Sequence, residues 1–326
     1  MKQFGPILFF MLSLLNAEPM EQRTRILMGT YVTVTLLPGH NREISHTFQL
    51  LKDIEGSLST FDKNASLYRL NHTHRISYDA CLAEALERSK AYYEKTQGYF
   101  DVTIGSISKK LYHFGEARTY SPSKVQLKKA PLNIGGIHIR KKYIMTDTDI
   151  TVDLGGMGKG YGADKAAAYL LEQNISQGII ALSGDIRCLG PCEVYLQSPF
   201  SEQTFARTEA RVPDLSVSTS GTYRRYAAKK SEHHLIDPKT AEQEKTFVSV
   251  SLFSRADNST IDAYATAVAV MPKKKALAFL KAHQKIGYVL VETNGTVIYG
   301  NLEPFIHIEW RKRPGGFAIP TTIHKP

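Results

Sequence analysis

Three stretches of this chain hold groups that could do chemistry. In "DLGGMGKGYGADKAAAYL", residues 153–170, five glycines surround a single lysine, Lys159. Glycine lets backbone N–H groups reach a ligand that side chains would hold off. A helix starting there adds partial positive charge, which suits phosphate. A Walker A loop, GxxxxGK[ST], does not fit, because Gly158-Lys159 has Asp153 at the first position and Gly160 at the last. The dinucleotide fingerprint GxGxxA fits Gly158, Gly160 and Ala163, with Asp185 beyond the next strand as the acid. A glycine-rich turn packed closely against a strand fits as well.

The second stretch, "DNSTIDAYATAVAVM" at 257–271, sets Asp262 and Thr266 four residues apart, on one face of a helix. A carboxylate and a hydroxyl are hard donors, suited to Mg²⁺ and not to zinc. A plainer reading competes, since Ser259-x-x-Asp262 has the form of a capping box in which Asp262 only caps its helix. Spacing alone favours the cap. The third stretch, "HHLIDPKT" at 233–240, places a histidine at a strand end before Asp-Pro. That is either acid–base machinery or an ordinary turn beside a surface histidine.

The elements that must position these groups can be read from periodicity. Residues 25–37 alternate like a strand, with Val32, Val34 and Leu36 on one face. Strands are expected at 143–154 and 178–183, hairpin material at 216–236 and 246–253, and a closing hairpin at 286–299. Helices are expected at 43–58, 79–97, 160–173, 260–271 and 273–283. In the third of these, Ala163, Ala166, Ala167 and Leu170 make one apolar face. The fold class is α+β, one large mixed domain with room for two lobes.

Composition narrows the setting. Lys and Arg number 41 against 31 Asp and Glu, giving a net charge of +10. The basic residues occur as scattered doublets, among them Lys109-Lys110 and Arg224-Arg225, which read as solvated surface. Their excess favours an anionic ligand or an acidic partner, and no nucleic-acid motif accompanies them. Residues 1–17 read as a signal peptide: Lys2, an apolar run at 7–15, and a cleavage site after Ala17. The run is too short to span a bilayer, so residues 18–326 are expected as the exported domain, in the periplasm. Of three cysteines, Cys188 and Cys192 can close a local disulfide in an oxidising compartment, leaving Cys81 unpaired.

Together these segments resemble the ApbE family, the FAD:protein FMN transferases. The blocks run in the family's order: "MGT" at 28–30, "FDKNASLYRLN" at 61–71, "GYFDVTIG" at 98–105 and "DLGGMGKGYGAD" at 153–164. "LSGDI" at 182–186, "TSGTYRRY" at 219–226, "HLIDP" at 234–238 and "DAYATAV" at 262–268 complete them. Three positions depart from the pattern: Ala65 stands where Ser is common, Ser183 replaces the first glycine of Gly-Gly-Asp, and Leu235 stands where Ile is usual.

The resemblance implies an α+β fold that holds FAD between two lobes, with Mg²⁺ at the pyrophosphate. It implies FMN transfer onto a Ser or Thr hydroxyl of an acceptor protein, with release of AMP. It turns the reading of Asp262 from cap to metal ligand, joined by Thr266 and a backbone carbonyl near Gly158. Lys159 is expected beside the phosphates, His234 as general base, and Asp237 as the residue that fixes the strand end or orients the imidazole. Met28, Phe61, Tyr99, Phe100 and Asp101 are expected around the flavin and adenosine, with Asp164, Ser183, Gly184, Asp185 and Ile236 completing the FAD site. The family also suggests an acceptor in a membrane redox complex, and location in the periplasm or at the inner membrane. Two alternatives compete: a secreted FAD-binding protein without turnover, and an FAD pyrophosphatase yielding FMN and AMP.

Overall fold

The alternation at residues 30–36 builds the strand on which one end of the fold is laid. Val32, Val34 and Leu36 are fully buried, while Tyr31 on the opposite face is exposed. This strand, Thr30–Leu36, pairs antiparallel with Glu21–Leu27 on one side and Gly178–Leu182 on the other. From there Asp185–Leu189, Ser216–Gly221, Phe247–Ser254, Gly287–Glu292, Val297–Gly300 and Ile323–His324 extend the sheet to nine strands. The computed structural model describes residues 20–311 and the strand at 323–324, so the expected signal peptide lies outside the described residues.

Neighbouring strands are antiparallel throughout, except that Val297–Gly300 and Ile323–His324 run parallel. A Rossmann fold needs successive parallel strands around its glycine turn. The fingerprint match at Gly158, Gly160 and Ala163 is therefore one of spacing without the fold.

The central strands are buried on both faces, and each face has its own core. Leu252 and Leu290 face the main core with the helices, whereas Phe253, Val289 and Val291 face a second core. That second core is closed by a three-stranded sheet of Glu193–Gln197, Thr204–Ala210 and Ile306–Trp310. A disulfide joins Cys188 to Cys192 at its edge.

Two helices carry the site. One, Gly158–Glu172, begins two residues before the expected 160, so Lys159 lies inside its first turn. The other, Asn258–Val270, is buried along nearly its whole length. They touch at Gly160, where an added Cβ would lie 2.6 Å from the Asn258 carbonyl oxygen. That contact is too close for any side chain, so Gly160 is a packing residue. Gly162 likewise packs under Met28 and Leu51. Two glycines of the run thus serve helix packing, while Gly155 and Gly156 line a cleft.

Other boundaries shift for local reasons. The strand expected at 143–154 stops at Thr146, where the chain turns at Asp147. The hairpin expected at 216–236 is a strand only to Gly221; residues 222–235 fold over the cleft, tied by the bridge between Tyr226 and His233. The hairpin at 286–299 does not close the fold, because Ile306–Trp310 returns to the small sheet. Among the described residues, no helix is long and apolar enough to cross a membrane.

Candidate functional site

The cleft has two joined chambers, of about 510 and about 810 Å³, which share Lys159, Ser183, Asp153 and Arg225. The smaller is lined by Tyr99, Phe100, Asp101, Gly184, Asp185, His234, Ile236, Asp262 and Thr266. The larger is lined by Met28, Phe61 and Gly158. Most of the residues expected from the sequence therefore come to one place, drawn from segments distant in the chain.

Lys159, Asp185 and Asp262 form its electrostatic centre. The Lys159 ammonium donates to Asp185 Oδ2 and lies 3.6 Å from Asp262 Oδ2. Asp185 also accepts from the Ser218 hydroxyl at 2.6 Å, and Asp262 Oδ2 accepts from the Gly160 N–H at 3.1 Å. Both carboxylates are buried, at 1% and 2% exposure, so two acids share one cation away from water. Burial opposes the Lys159 charge, yet Asp185 and Asp262 hold its pKa well above the usual lysine range. Asp262 moves the other way from normal: burial and the like charge of Asp185 push its pKa up, against the pull of Lys159. Asp262 also lines the cleft. Beside it, the Thr266 hydroxyl lies 3.4 Å from the Gly156 carbonyl oxygen.

His234 faces the same chamber. Its Nδ1 lies 3.1 Å from the Arg225 carbonyl oxygen, and its backbone N–H donates to that same oxygen at 3.2 Å. A carbonyl can only accept, so Nδ1 carries the proton and Nε2 keeps its lone pair. Burial, then the Arg225 charge, push the imidazole pKa down to about 4. The ring is neutral at pH 7.

Asp237 does not orient this ring. Its carboxylate accepts from the Lys239 N–H at 2.9 Å and its carbonyl accepts from Ala241, so it fixes the Asp-Pro turn. Asp164 is also displaced from its expected role, because it turns away from the cleft. It accepts from the N–H groups of Asn258 and Ser259 at 2.7 and 2.9 Å, capping the neighbouring helix. That is the cap the sequence suggested for Asp262, supplied instead from another helix. Asp101 accepts from Thr103 through both backbone and hydroxyl, which shapes the chamber wall. Gly158 borders the larger chamber, and the carbonyl beside Thr266 is that of Gly156.

Several cleft residues were hidden in the sequence. Asp153 lines both chambers; burial opposes its charge, but Lys109, 3.7 Å away, and the Ser108 hydroxyl at 2.7 Å hold its pKa below the usual range. Lys109 stands over the Phe61 ring at 4.2 Å. It and Arg224-Arg225 belong to doublets that read as solvated surface, yet they sit at or over the cleft. The block "TSGTYRRY" was the available signal for the arginines.

The cleft gathers Lys109, Lys159, Arg224 and Arg225 with a neutral imidazole, a set that suits an enzyme acting on an anionic group on an α+β scaffold. Comparison with known proteins narrows this to one family. The ApbE family pattern matches residues 28–290, and the chain belongs to that family. The chain is 25% identical over 284 residues to the FAD:protein FMN transferase of Klebsiella pneumoniae, covering 84% of this chain and 89% of that protein. It is 28% identical to the FAD:protein FMN transferase of Treponema pallidum, covering 73% and 74%. Its fold matches the flavin transferase ApbE of Vibrio cholerae with a TM-score of 0.75 at 24% identity, over 88% of this chain and all of that one. The ApbE protein of Thermotoga maritima gives 0.77 at 20% identity, over 86% and 96%.

Proposed function

We propose that this chain transfers FMN from FAD to a Ser or Thr hydroxyl of an acceptor protein, releasing AMP, with Mg²⁺ as the assisting cation. The reading is carried by one observation: a neutral imidazole with a free Nε2 opens into the same chamber as Lys159 and the Asp185–Asp262 pair. The acceptor oxygen bonds to the FMN phosphorus, the pyrophosphate P–O bond breaks, and AMP leaves. His234 Nε2 takes the hydroxyl proton. Lys159 balances charge on the pyrophosphate.

The donor set suits Mg²⁺. Asp262 is a buried carboxylate that shares one lysine with Asp185, and the Thr266 hydroxyl and Gly156 carbonyl are neighbouring hard oxygens. Among the described residues, no three His, Cys, Asp or Glu side chains gather as a cage of their own. That agrees with an ion held by one or two carboxylates together with substrate phosphates. Bound there, Mg²⁺ would neutralise charge on the pyrophosphate as the leaving group departs.

Export through residues 1–17 belongs to the same proposal, with the mature chain in the periplasm and its acceptor in a membrane redox complex. The Cys188–Cys192 disulfide supports an oxidising compartment. N-terminal sequencing of the exported protein should begin near Glu18; a cytoplasmic protein retaining Met1 contradicts it. The activity is tested by incubating the chain with FAD, Mg²⁺ and a flavin-acceptor domain. Transfer predicts a fluorescent acceptor of increased mass. AMP without labelling indicates hydrolysis, and neither product indicates binding alone.

A further inference from the structure

Eight non-glycine residues among those described have positive φ, and of these Met28 and Ser183 line the cleft. Left-handed backbone is strained for a residue with a side chain, and strain of this kind persists where surrounding structure enforces it. The two turns are adjacent, since the Ser183 N–H donates to the Tyr31 carbonyl at 3.1 Å. They are held differently. Ser183 is held by backbone, whereas the Met28 N–H donates to a side chain, Glu55 Oε1, at 2.8 Å.

Glu55 comes from the helix Asn41–Leu58, which packs against both strands of the hairpin that Met28 and Gly29 join. Its carboxylate bonds to Met28, and it lines the larger chamber beside that turn. A carboxylate accepting a backbone N–H makes a charge-assisted bond, stronger than a neutral one. The held turn lays Met28 on the Lys159 helix, where an added Cβ on Gly162 would lie 3.0 Å from Met28 Sδ. Glu55 thus ties the wall of the larger chamber to the helix that carries the phosphate-facing lysine.

We propose that Glu55 is a positioning residue for dinucleotide recognition: it locks the strained Met28–Gly29 turn into the shape that one end of FAD packs against. This deepens the transferase reading and rests on it. Glu55 touches no reacting atom, so its loss acts on binding before chemistry.

The test uses the full chain, with flavin-fluorescence titration of FAD, transfer kinetics, and ¹³C-methyl NMR of Met28 without ligand. Glu55→Ala should shift and broaden the Met28 resonance and raise both Kd and KM for FAD about tenfold, with kcat nearly unchanged. Glu55→Gln, whose amide oxygen still accepts the N–H, should restore the resonance and most of the affinity. An unchanged Kd in Glu55→Ala overturns the proposal, as does a fall in kcat with KM untouched. Failure of Glu55→Gln to recover affinity also overturns it. Wild-type protein that does not bind FAD defeats the transferase reading and this role with it, a result visible before any variant is made.

Discussion

Asp164 and Asp262 each reach across one helix interface to the first turn of the other helix, and they end in opposite conditions. Asp164 takes two N–H groups, from Asn258 and Ser259, and has Arg187 3.9 Å away. Asp262 takes one N–H, from Gly160, and shares Lys159 with a second buried acid. Burial raises the pKa of both. For Asp164 the next influences are the two N–H bonds, which favour the charged form; for Asp262 the next is the like charge of Asp185, which opposes it. At one end both carboxylate oxygens accept backbone N–H groups, although Arg187 Nε and the Asn258 side-chain oxygen nearby have no hydrogen-bond partner among the described residues. At the other, two buried acids share one lysine, an arrangement that suits the proposed cation.

Substitution at either end of the interface separates the two aspartates. The largest expected effect is at Asp262. Asp262→Asn should lower Mg²⁺-dependent transfer by about 10²–10³-fold, with melting temperature equal to wild type or higher because a buried like-charge pair is removed. A variant that loses stability and keeps its rate would make Asp262 a cap after all.

His234→Ala should follow, slowing transfer by about 10²-fold or more while FAD affinity stays near wild type. An unperturbed histidine titrating at about 6.5 would make the rate fall just below neutrality. With its pKa pushed down to about 4, the His234 lone pair stays free well below that, so with Mg²⁺ held saturating to keep Asp262 ionised the rate should drop only toward 4. The sign for stability is the same. The fold favours the neutral ring, so this contribution is present above the unfolded value of about 6.5 and is lost as pH falls toward 4. At saturating Mg²⁺, a rate that falls by half near pH 6.5 would show an imidazole unlike the one described here.

The smallest expected effect on catalysis is at Asp164. Asp164→Ala should cost about 1–3 kcal/mol of stability, for the lost cap and the unpaired Arg187. Its kcat should stay within a few-fold of wild type at temperatures where it remains folded. Denaturant melts and turnover on the same samples separate the two aspartates.

Why the sequence distinguished these regions poorly follows from the same geometry. Periodicity reports which face of an element is buried, so the strand around Val32 and the helices at 43–58 and 79–97 were legible. Spacing also put Asp262 and Thr266 on one face. Partner identity is a long-range property. Asp164 caps a helix that begins at Asn258, and His234 takes its tautomer from the Arg225 carbonyl across a loop. Neither relation leaves a local pattern, so spacing alone put the cap within its own helix and left Asp237 either to fix the strand end or to orient the imidazole. Lys109 and Arg225 look like surface doublets until residues 98–115 and 222–235 fold over the cleft. The glycine run was legible as a region, but its division between packing at Gly160 and cleft lining at Gly156 depends on which atoms lie opposite.

The proposed cation site lies at the Asp262 end of the helix interface and not at the Asp164 end. Mn²⁺, which takes the oxygen ligands of Mg²⁺ and is visible by electron paramagnetic resonance, can be titrated with FAD present into wild type, Asp262→Asn and Asp164→Asn. The account predicts saturable Mn²⁺ binding in wild type and Asp164→Asn, with at least about tenfold weaker binding in Asp262→Asn. Equal Mn²⁺ affinity in wild type and Asp262→Asn would contradict it.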